Sequence, residues 1–70
     1  MEIFAKRLKE LRTEKGLTLR DIAKVLDITP RAYARYEKNT SEPKQEMLVR
    51  IARYFGVTPN YLLGEEDYSG

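Results

Sequence analysis

Three cations, Arg31, Arg35 and Lys38, recur along one stretch of this 70-residue chain, with Ala34 among them. Placed on an α-helix, spacings of four and three put them on one face and Tyr33 and Tyr36 on the other. An arginine fork held outward on a helix has a well-matched target, since it can bond O6 and N7 of guanine together in a DNA major groove. Pro30, Arg31 and Arg35 lie towards the start of this helix, the part that meets base edges when such a helix enters the groove. A solvated amphipathic face would carry the same residue types, so the reading depends on what positions them.

The positioning signals lie just upstream. Thr18 and Asp21 are spaced as a capping box, in which hydroxyl and carboxylate satisfy amides of a first helical turn. Leu19, Ile22, Ala23 and Leu26 then recur at helical spacing. Asp27-Ile28 breaks the pattern, and Thr29-Pro30 starts the next helix with Thr as N-cap and Pro at the first helical position. Ile28 is placed to pack on Tyr33 as a hydrophobic staple. Two short helices joined by about three residues make a helix-turn-helix, whose second helix can lie in a major groove.

Phosphate contacts are expected from groups flanking that groove. Thr18 sits at the start of the earlier helix, and Arg20, Lys38, Thr40 and Lys44, with loop amides near Asn39, are further candidates. Lys6, Arg7 and Lys9 read as a solvated face. Tyrosines interleaved with basic residues could stack on single strands. The helical spacing of Tyr33, Tyr36, Tyr54 and Tyr61 assigns them instead to core or interface, with Tyr68 left in the tail.

The remaining pattern is helical throughout. A first helix is expected over about 2–15 with Phe4, Leu8 and Leu11 on one stripe, closed by Gly16. The next two span about 18–26 and 30–38, and Asn39 can end the latter in a left-handed conformation. After a loop at Thr40-Ser41-Glu42-Pro43, a fourth covers about 44–55 with Met47, Leu48, Ile51, Ala52 and Phe55 inward, ended by Gly56. Thr58-Pro59 repeats the Thr-Pro start for a short last helix through Asn60-Tyr61-Leu62-Leu63, stopped by Gly64. The expected organisation is one all-α domain over 1–64 and an acidic, frayed tail over 65–70.

Composition narrows the chemistry. The chain has no cysteine and no histidine, which excludes disulfides, Cys/His zinc sites, thiol nucleophiles and the commonest general base. With no paired carboxylates or glycine-rich phosphate loop, neither an enzyme, a metal nor a cofactor is expected. All 13 basic residues but only 8 of the 11 acidic ones fall in residues 1–64, a net +5, against an acidic Glu65, Glu66 and Asp67. Apolar runs are far too short for a membrane span. The MEIFAKRL opening reads as a natural start without a secretory segment, so a cytoplasmic address is expected.

Taken in order, LKELRTEKGLT (8–18), DIAKVLDIT (21–29), YARYEKN (33–39), EP (42–43) and LVRIARYFGVTPNYLLG (48–64) resemble the lambda-repressor-like helix-turn-helix family of phage repressors and small bacterial regulators. That resemblance implies a compact five-helix bundle, double-stranded DNA read by the third helix, and a homodimer on a palindromic operator. It implies base reading by Thr29, Pro30, Arg31 and Arg35, and a partly buried ion pair between Arg12 and Glu37. The sequence departs from the family's pattern at Leu19, often a phosphate-holding glutamine, at Asp27, often glycine, and at Lys44, usually a small hydroxyl residue. Val57, Tyr61, Leu62 and Leu63 are candidates for the dimer contact or for completion of the core. A protein-interaction module that kept the fold without the DNA is the alternative, though it has no use for Arg31 and Arg35.

Overall fold

A computed structural model describes residues 2–67, which form five helices and no strand. They are α1 (Glu2–Glu14), α2 (Leu19–Leu26), α3 (Pro30–Glu37), α4 (Gln45–Phe55) and α5 (Pro59–Leu62). Residues 68–70 of the expected tail, Tyr68 among them, lie outside the described residues.

Each start follows from local chemistry. The Thr18 hydroxyl accepts from the Asp21 amide at 3.0 Å, and the Asp21 carboxylate accepts from the Thr18 amide at 2.9 Å, which completes the capping box. Thr29 and Thr58 accept from the Ala32 and Tyr61 amides at 3.0 Å, each followed by proline. Lys44 occupies the N-cap of α4 without a side-chain cap hydrogen bond. The breaks rest on left-handed residues: Asp27 (φ 58°) ends α2, and Asn39 (φ 61°) follows α3.

The core gathers from all five helices: Phe4 and Leu8, Ile22, Ala23 and Leu26, Tyr33, Ile51 and Ala52, and Leu62. Tyr33 and Tyr36 meet edge-to-face at 6.2 Å, and Tyr36 meets Phe4 at 6.4 Å, so three rings tie α3 to α1. Helix α3 packs most extensively on α2 and next on α1. Ile28 packs against the same cluster as Tyr33, as its staple position requires.

Leu19 does not share the burial of Ile22, Ala23 and Leu26. It is 37% exposed, because the surface beside the first turn of α2 is a polar rim that includes Arg12 and Glu37 rather than core. Three expectations are corrected. Leu62 is fully buried and closes the core under α5, so it offers no surface to a second subunit. Arg7 is not a solvated cation: it donates to the Tyr61 carbonyl and, at 2.6 Å, to the Glu66 carbonyl, and it lies 4.2 Å over the Tyr61 ring. The start of the tail is consequently tied back rather than frayed, since Thr58 donates to the Glu66 carboxylate at 3.0 Å and the Glu65 amide to the Asn60 carbonyl at 2.8 Å.

Candidate nucleic-acid interface

The eight residues of α3 sort into two faces. Tyr33 is fully buried, whereas Arg31, Arg35 and Lys38 are exposed on the opposite side with Ala34 half-buried between them. Arg31, Ala34, Arg35, Lys38 and Thr40 line one shallow concavity. Thr29 and Pro30, at the exposed start of the helix, complete the expected base-reading set. The Thr40 hydroxyl and amide both donate to the Arg35 carbonyl, at 3.3 and 3.0 Å, and so finish the last turn of α3.

The orientation of this face is set from below. Arg12 on α1 donates from Nε to Glu37 Oε2 at 2.7 Å, from Nη2 to Oε1 at 3.1 Å, and from Nη1 to the Leu17 carbonyl at 2.8 Å. The Tyr33 hydroxyl also donates to Glu37 Oε2. The side chains of Arg12 and Glu37 are only 13% and 8% exposed, and a two-point guanidinium–carboxylate bond fixes direction as well as distance. Hydrogen bonding to Glu37 raises the Arg12 guanidinium above its ordinary value, and burial, reinforced by Glu37, pushes the Tyr33 hydroxyl well above the phenol range. The Tyr33 phenol and the Arg12 guanidinium therefore keep their protons throughout the physiological range, and α3 cannot roll without breaking this network.

The flanking candidates divide. Leu19 lies between Thr18 and Arg20 in the chain and lines a depression with Ala34 and Lys38, which brings the start of α2 alongside the outer face of α3. Thr18 and Arg20 are exposed there, and Thr18 keeps its hydroxyl proton for a further acceptor, because toward Asp21 it only accepts. Asn39 is exposed at the left-handed turn after α3. Lys44 is not gathered with the arginines. It lines a separate depression with Tyr36, Glu42, Glu46, Met47 and Arg50, where two carboxylates dilute its charge. Val57, Tyr61 and Leu63 are half-buried around α5, and Tyr61 is engaged by Arg7. Among the described residues no group of His, Cys, Asp or Glu could hold a metal, and no helix is long and apolar enough to cross a membrane.

Sequence reasoning missed Arg7, which had no local signal, since its partners lie 54 and 59 residues away.

Comparison with known proteins finds a family described as Helix-turn-helix, matched over residues 8–62. The SPbeta prophage-derived uncharacterized HTH-type transcriptional regulator YonR of Bacillus subtilis is 36% identical over 61 residues, covering 87% of this chain and 56% of that protein. The cryptic phage CTXphi transcriptional repressor RstR of Vibrio cholerae is 28% identical over 65 residues, covering 93% of this chain and 59% of the repressor. The chain thus spans little more than half the length of these relatives. Among solved structures, the clp gene regulator ClgR from Corynebacterium glutamicum superposes with a TM-score of 0.80 at 26% identity, over 91% of this chain and 68% of that one.

Proposed function

The chain belongs to the lambda-repressor-like helix-turn-helix family, a family of non-enzymatic transcriptional regulators, and on that premise we propose that it is the sequence-specific DNA-binding unit of a bacterial or phage regulator, acting in the cytoplasm. Helix α3 enters the major groove of double-stranded DNA. Thr29, Pro30, Arg31 and Arg35 meet base edges there, and Thr18, Arg20, Lys38, Asn39, Thr40 and Lys44 hold the flanking phosphates. The observation that carries this reading is the exposed Arg31–Arg35–Lys38 face, on a helix whose orientation is set by the partly buried Arg12–Glu37–Tyr33 network.

One such helix makes few base contacts, each worth about 1–3 kcal/mol of discrimination. A two-fold homodimer on a palindromic operator doubles them. For the dimer contact we propose the surface of Val57, Tyr61 and Leu63, extended by Ile3, which is 40% exposed and packs beside Gly64. Repression is the more natural outcome for a protein similar to phage repressors. The test is selection from a random double-stranded DNA pool at near-physiological salt. The expected product is a palindrome with half-site centres about 34 Å apart. Failure of a folded protein to enrich any sequence would turn the reading towards a protein-interaction module.

A further inference from the structure

Among the described residues three large hydrophobic side chains stand exposed: Ile3 at 40%, Leu19 at 37% and Val25 at 44%. Of these, Leu19 is the one that borders the basic face of α3. The depression it lines is completed by Lys9, Arg12, Ala34, Glu37 and Lys38. Arg12 and Glu37 are already spent on each other, so the surface this depression presents is the Leu19 isobutyl group and the Ala34 methyl, flanked by the ammonium groups of Lys9 and Lys38. Ala34 and Lys38 also line the concavity of Arg31 and Arg35, so the apolar strip and the arginine face are continuous. The matching ligand is a small apolar group framed by anions. On a DNA duplex one group answers that description: the 5-methyl of thymine, which protrudes into the major groove between phosphates where the other three bases present no methyl.

We propose that Leu19, backed by Ala34, is a specificity-determining residue that reads a thymine methyl; this rests on α3 lying in the major groove, as proposed above. The placement constrains the base. At 1.5 Å rise per residue, Ala34 lies about 1.5 Å from Arg35 and about 4.5 Å from Arg31 along the helix. With DNA rising about 3.4 Å per base pair, the thymine lies within one or two base pairs of an arginine-read position.

The experiment takes the duplex enriched from the random pool and replaces each thymine singly by deoxyuridine, which deletes only the methyl. Binding of the parent and of Leu19→Ala is measured on every duplex, with a thermal melt of each protein. Because Leu19 is outside the core, Leu19→Ala is expected to melt with the parent. One thymine per half-site should show a loss of about fourfold in the parent, the worth of one buried methyl, and none in Leu19→Ala. A parent indifferent to every replacement overturns the proposal, and so does an identical replacement profile in both proteins. If no duplex is enriched at all, the DNA reading itself fails and takes this inference with it, an outcome distinct from an enriched site whose methyls are ignored.

Discussion

Glu37 is bonded by two side chains from two helices, Arg12 through both of its oxygens and Tyr33 through one. Removing it by Glu37→Ala strands a partly buried guanidinium, and chemical denaturation should show a loss of about 3 kcal/mol. Tyr33→Phe deletes one of three bonds and leaves the ion pair whole, so it should cost about 1 kcal/mol. Arg31 and Arg35 predict the opposite signature. Neither is engaged in the core, so Arg31→Ala and Arg35→Ala should melt as the parent does while each relaxes preference at one base position by about 1–3 kcal/mol in competition binding. Asp21 brings a pH dependence. The Thr18 amide it accepts holds its carboxyl below the usual carboxylate range, so folding favours the ionised form. Its contribution is complete above the ordinary aspartate value near ~3.9 and is lost as pH falls through the lowered folded value. The difference in melting temperature between the parent and Asp21→Ala should therefore hold at neutral pH and shrink towards zero in strong acid.

Helix boundaries were legible in the sequence wherever a side chain works within four residues of itself. Thr18, Thr29 and Thr58 cap where spacing placed them, and the turn at Asp27 adopts the left-handed backbone that its position demanded. What escaped depends on partners far along the chain. Leu62 resembles its half-buried neighbours until α1 and α4 close over it. The aim of Arg31 and Arg35 was readable from the helix wheel, whereas the separation of Lys44 from them was not, because the loop over residues 40–44 has no periodicity to extrapolate. Lys44 also shows function and stability pulling apart within one element. As an N-cap it makes no side-chain cap bond, and Lys44→Ser should add about 1 kcal/mol in thermal unfolding. The same change removes one proposed phosphate contact. Binding to every sequence should weaken alike, and the slope of log affinity against log salt should flatten by about 0.9.

The described residues measure 28 × 23 × 19 Å, shorter than one ~34 Å turn of DNA, so in the proposed complex one copy would face a single half-site and a second copy the other. The start of α1 and the segment that follows α5 are drawn together. A Cβ built on Gly64, at φ 82°, would stand 2.8 Å from Cγ2 of Ile3, and the Arg7 guanidinium grips the Glu66 carbonyl. A circular permutant that joins residue 67 to residue 2 through a few glycines and serines, and opens the ring between Ser41 and Glu42, should keep the helical circular dichroism and a single cooperative melt. A permutant without that melt would mean that Arg7 holds two strands of chain that must be separate before they can meet. If it folds, the Arg7 clasp does the work of that bond, and the proposed DNA-facing helix keeps its place without the original link between Ser41 and Glu42.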